Sequence, residues 1–281
     1  MTQATSRTIV QALADASALG MDRLDAQLLL LHALGRSGDE RGWLLAHDTD
    51  AVAPEVADAF SRACVRRVAG EPVAYLLGEK EFHGLMLKVD SRVLVPRPDT
   101  ETLVDWAIEC LTGHREARVM DLGTGSGAIA LALQASRPDL QIHAVDASAD
   151  ALDVARANGE RLSLPVRFAV GNWLEGAGTQ YTLIVSNPPY IAERDPHLPA
   201  LAHEPLSALA SGPDGLDDIR TIIDSAPAHL ADGGWLLLEH GYDQSSAVKT
   251  LLSKAGFDEV QSRTDLAGIE RCSGGKWHAV K

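Results

Sequence analysis

Three cysteines, at 64, 110 and 272, are too few, too scattered and odd in number for a disulfide framework, and no CxxC pair occurs. That usage points to a reducing compartment. Ten histidines are spread without HxxxH or HxxEH spacing, so no metal is expected. No stretch approaches the roughly 18 apolar residues of a membrane span. The opening MTQATSRTIVQALADAS has neither a long apolar core nor a basic leader. A cytoplasmic protein without membrane contact is the expectation. Basic charge is also short, 25 Lys and Arg against 39 Asp and Glu, for a net charge of −14. Proteins that live on nucleic-acid phosphates usually show a basic surface. The one small basic patch, VRRV at Arg66 and Arg67, reads better as a solvated helix face. No direct nucleic-acid contact is expected, and the balance favours a protein or small-molecule substrate.

What is present falls into three stretches. Residues 1–76 carry apolar side chains at three- and four-residue spacing, which predicts a helical domain. Pro54 fits a first helical turn, and Gly20, Gly35 and Gly70 fit helix ends. Residues 77–95 alternate and turn, as a short hairpin linking two domains does. Residues 96–281 alternate apolar strands with helices, beginning with TETLVDWAIECL capped by Thr100 and closing with the strands DEVQSRTD and KWHAVK. The pattern predicts an α/β fold, a doubly wound, mostly parallel, seven-stranded sheet covered on both faces.

Two motifs carry chemistry. DLGTGSGAIA joins the first strand to its helix, where Gly123, Gly125 and Gly127 permit a tight turn and close backbone approach. Asp146 ends the next strand, nineteen residues after Gly127, where a carboxylate accepts from two ribose hydroxyls. The spacing also satisfies a loose dinucleotide fingerprint, which keeps a nicotinamide cofactor open. Asp121 favours a cationic ligand group over a pyrophosphate, and so shifts the reading to S-adenosylmethionine. Trp173 fits equally a place beside the adenine and the core. The second motif, SNPPYI, leaves an apolar strand and stiffens at once, because neither proline donates to a ladder. An NH2 group conjugated to a carbonyl or ring is a poor nucleophile. The Asn187 side-chain oxygen and the Pro188 carbonyl are two acceptors for its hydrogens, favouring a pyramidal nitrogen, and Tyr190 can pack over the planar target. His203 and Glu204 fit a substrate entrance or a surface loop equally, and Asp214 fits a helix cap. Glu239 reads as a strand end.

DLGTGSG with a distant NPPY resembles the S-adenosylmethionine-dependent amino-methyltransferases. VLVPRPDTE, Asp146, NPPYI, HEPLSALASGPDGLDDIR and DLAGIER together resemble, more narrowly, the release factor glutamine methyltransferase family, along nearly the whole chain. The resemblance implies a Rossmann-like class I methyltransferase domain and a helical domain that helps dock the substrate. That substrate would be the GGQ glutamine of bacterial class-1 peptide chain release factors, methylated on its side-chain nitrogen (N5) in translation termination by a monomer. S-adenosyl-L-methionine would be the methyl donor and S-adenosyl-L-homocysteine the product. Gly123, Thr124, Gly125, Ser126, Gly127, Asp146, Trp173 and Asn187 would contact the cofactor, with Asp121 beside them. Asn187, Pro188, Pro189 and Tyr190 would grip the glutamine, and the segment from Arg97 to Glu101 would border the pocket. Asp99 and His83 depart from the residues commoner in the family, a glutamate and an aromatic. Two alternatives remain: glutamine methylation of a ribosomal protein, and methylation of an exocyclic amine on a nucleic acid.

Overall fold

The computed structural model describes residues 7–279, and its backbone contacts divide into two compact units, residues 1–78 and 79–281. In the first unit the helices are α1 (Ile9–Ala18), α2 (Arg23–Ala33), α3 (Arg41–Ala46), α4 (Pro54–Val68) and α5 (Val73–Leu77). Thr8 caps α1 in a capping box with Gln11, Asp22 caps α2 through the Leu24 N–H, and Pro54 occupies the first turn of α4. Ile9, Leu29, Leu30, Leu31, Leu44 and Phe60 close its apolar core. The two arginines of the VRRV stretch are neutralised locally, Arg66 by Glu71 at 2.5 Å and Arg67 by Asp25 at 2.7 Å.

The second unit opens with a hairpin, β1 (Glu79–Phe82) and β2 (Leu85–Lys88), whose Phe82 and Leu87 are buried with residues of α6 (Glu101–Cys110). The strands β3 (Arg118–Leu122), β4 (Gln141–Asp146), β5 (Arg167–Val170), β6 (Tyr181–Ser186), β7 (Leu230–Glu239), β8 (Asp258–Thr264) and β9 (Glu270–Lys276) form one sheet in the order β5-β4-β3-β6-β7-β9-β8. The first five of these strands run parallel, and β9 is antiparallel to both its neighbours. The remaining helices are α7 (Ala128–Ser136), α8 (Ala149–Leu162), α9 (Asp217–Ser225) and α10 (Ser245–Lys254).

Side chains alternate across a strand, and here both alternations are apolar. Val119, Leu183, Val185 and Leu237 pack on the face covered by α6 and α7, while Met120, Ile184, Leu236 and Leu238 pack on the face covered by α9 and α10. Apolar residues on both strand faces are why the helices must lie on both sides of the sheet. The chain leaves β3 for β4 and β5 on one side, then returns to lay β6 against the other side of β3. That reversal opens a crevice at the carboxyl ends of β3 and β6, where open α/β sheets bind ligands.

Two expectations need correction. Thr100 makes no capping bond to α6, because its hydroxyl is engaged with Asn187 instead. The closing strand is ERCSGGK, not KWHAVK, of which residues 280–281 lie outside the described residues. Its glycine pair looks wrong for a strand but is forced by packing. A Cβ at Gly274 would sit 2.5 Å from the Leu236 carbonyl oxygen and 2.9 Å from the Trp106 ring. At the sheet's edges, β5 has only four residues, and β8 shifts register twice, with Glu259 left-handed at φ 50°.

Candidate active site

The loop after β3 is shaped by its own backbone. Gly123, Gly125 and Gly127 all have positive φ (67°, 55° and 84°), and Gly127 is the cap position of α7. At Gly123 a side chain would also meet the Trp173 ring at 3.3 Å. The Thr124 N–H donates to the Val145 carbonyl at 3.0 Å, and the Gly125 N–H donates to Asp146 Oδ2 at 2.8 Å. Asp146 Oδ1 accepts from the Ser148 N–H at 2.9 Å. A carboxylate has about four acceptor positions, so Asp146 keeps two for ligand hydroxyls. Ser126 is buried, and its carbonyl accepts from Asn158 Nδ2 at 2.9 Å. Asn158 also bonds both the N–H and the carbonyl of Lys88, which ties the hairpin to the loop.

Asp121 lies buried beneath this loop. Its Oδ2 accepts from the Thr124 hydroxyl at 2.6 Å and the Ala130 N–H at 3.3 Å, while Oδ1 has no partner. Burial pushes its carboxyl up to about 7. An unpartnered oxygen on a buried acid is costly unless a donor or cation reaches it.

The opposite wall comes from the end of β6. Ser186 donates to the Leu122 carbonyl at 2.7 Å and so ties the two strand ends together. Asn187 Nδ2 donates to Thr100 Oγ1 at 3.2 Å, which leaves Asn187 Oδ1 without a partner. Pro188 and Pro189 are buried. The Tyr190 hydroxyl turns towards Glu239, donating to Oε1 at 3.4 Å, and burial pushes its phenol well above the usual range.

Gly123, Gly125, Asp146, Trp173, Asn187 and Pro189 all line one cleft. The other expected site residues do not line it. Thr124, Ser126 and Gly127 complete the loop, and Glu101 accepts from the His83 N–H of the hairpin turn at 3.1 Å. Arg97 pairs with Glu204 at 2.5 Å. Trp173 holds a left-handed φ of 51°, an uncommon posture for a bulky residue, and its indole N–H donates to Asp218 at 3.2 Å.

Glu204 is neither a loop cap nor free at an entrance. Its side chain is 2% exposed, and besides Arg97 it accepts from the Val95 N–H at 3.0 Å. It thereby joins two segments of the cleft wall, Val93–Leu94 and Pro205–Ala208. Asp214 accepts from the Leu216 N–H at 3.2 Å, in the turn before α9 rather than at its cap. Asn158 escaped the sequence reading, although an asparagine inside an alanine-rich helix is a signal of a buried polar tie. Among the described residues no group of three or more His, Cys, Asp or Glu side chains is arranged to hold a metal ion, and no helix is long and apolar enough to cross a membrane.

Comparison with known proteins bears on both units. A family model described as the PrmC N-terminal domain matches residues 6–78, and one described as the methyltransferase small domain matches residues 100–212. The release factor glutamine methyltransferase of Bordetella pertussis is 50% identical over 260 residues, spanning 91% of this chain and 95% of its own length. That of Xylella fastidiosa (strain Temecula1) is 48% identical, spanning 94% of this chain and 97% of its own length. A methyltransferase from Pyrococcus furiosus, 19% identical, shares the fold with a TM-score of 0.53, across 70% of this chain and 90% of that one.

Proposed function

The chain belongs to the release factor glutamine methyltransferase family, and on that footing we propose that it methylates the side-chain nitrogen (N5) of the glutamine in the GGQ tripeptide of class-1 peptide chain release factors. S-adenosyl-L-methionine, when bound, supplies the electrophilic methyl group. The residues present suit it: glycines that leave room at Gly123 and Gly125, a ribose-type acceptor in Asp146, and a buried Asp121 carboxyl with an unpartnered oxygen beneath the loop.

The observation that carries this reading is the orphaned Asn187 oxygen. A buried amide oxygen with no partner, on a residue that shares a cleft with the glycine loop, awaits a donor. The glutamine NH2 offers two. In this proposal Asn187 Oδ1 takes one hydrogen and the Pro188 carbonyl the other, which draws the nitrogen lone pair out of conjugation. Pro189 stiffens the turn that aims them. As the methyl passes from sulfur to nitrogen, one of the two N–H protons is released to solvent, and the rate comes from position and fixed dipoles rather than from a strong base. Trp173 and Gly123 shape the cofactor side, and Glu204 ties Arg97 to Val95, next to the lining residues Val93 and Leu94. On the same reading the helical unit docks the release factor, and the enzyme acts as a cytoplasmic monomer.

Transfer of labelled methyl from S-adenosylmethionine tests the proposal in three arms: a purified bacterial release factor, the same factor with the GGQ glutamine changed to alanine, and duplex DNA. Label on the first alone is the expected result. Label on DNA, or on none of the three, overturns it.

A further inference from the structure

The indole of Trp173 spans the space between the glycine loop and α9. Its Nε1–H donates to the Asp218 carboxylate at 3.2 Å. The opposite edge of the ring lies over Gly123, with Cζ3 3.3 Å from where a Cβ would stand. The N–H edge is thus spent on α9, and the hydrocarbon edge is set at the loop of the cleft that Trp173 lines. A bulky residue at a left-handed φ of 51° keeps that posture only where its surroundings over-determine it. Packing against the apolar cluster on the α9 face supplies part of that constraint. The bond to Asp218 supplies direction.

Asp218 is itself a fixed anchor. Its N–H donates to the Ser211 hydroxyl at 2.8 Å, and the Ser211 N–H donates to the Ile191 carbonyl at 2.9 Å. Gly215, between them, has positive φ (77°), and a Cβ there would collide with the Tyr190 carbonyl. Gln244 Nε2 donates to that same carbonyl at 2.9 Å and to the Asp214 carbonyl at 3.2 Å. The GPDGLDD stretch is therefore pinned to the end of the NPPY motif. Of its acids, Asp214 and Asp217 pair with Arg220, at 2.5 and 2.8 Å. Asp218 forms no ion pair among the described residues and has its carboxylate on the indole.

We propose that Asp218 is a positioning residue for the cofactor site, holding the Trp173 indole so that its hydrocarbon part, and not its N–H, faces the cleft where S-adenosylmethionine binds. This rests on the cofactor assigned above and not on the identity of the methyl acceptor. A half-buried N–H deprived of its acceptor seeks water. The nearest open space is the cleft, so loss of Asp218 turns the polar edge of the ring towards the ligand. Asp218 touches neither reacting atom, and its removal falls on cofactor binding.

The test is a double-mutant cycle: wild type, Asp218→Ala, Trp173→Phe and the two combined, with Asp218→Asn beside them. S-adenosylmethionine Kd is measured by calorimetry on each purified chain, and KM for the release factor in the methyl-transfer assay. Asp218→Ala should weaken cofactor binding about five- to thirtyfold, with release-factor KM moving less than about twofold. Asp218→Asn keeps an acceptor oxygen and should return to within about threefold of wild type. Trp173→Phe removes the donor, so adding Asp218→Ala to it should cost less than about twofold more. Asp218→Ala within about twofold of wild type overturns the proposal, and so do two substitutions whose effects on Kd simply multiply. A wild type that binds no S-adenosylmethionine sinks this inference and the proposed function together. One that binds it but labels no release factor sinks the proposed function alone, and the Kd cycle still decides the place of Asp218.

Discussion

The two walls of the cleft hold their shape by different means. The glycine-loop wall is held by main chain: positive φ, backbone N–H groups given to Val145 and Asp146, and the start of α7. On the NPPY wall, side chains do the holding, through a bond from Asn187 to Thr100, one from Tyr190 to Glu239, and a clamp from Glu204 to Val95 and Arg97. A backbone cradle tolerates a ligand of many contacts, whereas a side chain held by its neighbour presents one atom in one orientation. The first suits holding a cofactor, and the second suits aligning an acceptor.

Substitutions on each wall should separate the two. The largest effect is expected from Asn187→Ala, which removes the acceptor and leaves the glycine loop untouched. Turnover should fall by about 10²–10³-fold, by analogy with deletion of one oriented hydrogen-bonding group in an active site, with cofactor Kd little changed. Single-turnover kinetics and calorimetry decide, and near-normal turnover would break the distinction.

Asp121→Asn acts on the other wall. The folded carboxyl is raised to about 7 from an ordinary 3.8, so the folded state keeps a proton that the unfolded chain has lost. Stability from this group is therefore fully present below about pH 4, declines as pH climbs to about 7, and stays low above that. The asparagine variant lacks this decline and should melt higher than wild type at pH 8 while binding cofactor more weakly. Thermal scans across pH, beside a cofactor titration, read both.

The smallest effect belongs to Glu204→Gln. An amide accepts on one side only, so one of its two donors, the buried Val95 N–H or the partly exposed Arg97, loses its partner. The expected cost is about 1–3 kcal/mol, seen in a denaturant titration, with cofactor Kd unchanged.

The fold class and both motifs were legible because glycine and proline carry positional meaning. Three spaced glycines followed by a helix, and two prolines directly after an apolar run, leave few conformations. Partnerships across long separations were not legible. Glu204 meets Arg97 across 107 positions, and Asn187 meets Thr100 across 87, and nothing local marks either pair. Thr100 sits where a helix cap belongs, and its hydroxyl accepts from Asn187 instead. The glycines of β9 misled because their value is negative: they make room for Trp106 and the Leu236 carbonyl.

The irregular sheet margins have a bearing on solubility. A long, flat outer strand is a template on which a second chain can lengthen the ladder and begin to aggregate. Here one margin is four residues long, and the other is kinked at Glu259 and lined by Asp258, Glu259 and Arg263. Neither accepts another strand readily. At both margins of this sheet, strand-on-strand pairing with another chain is therefore disfavoured.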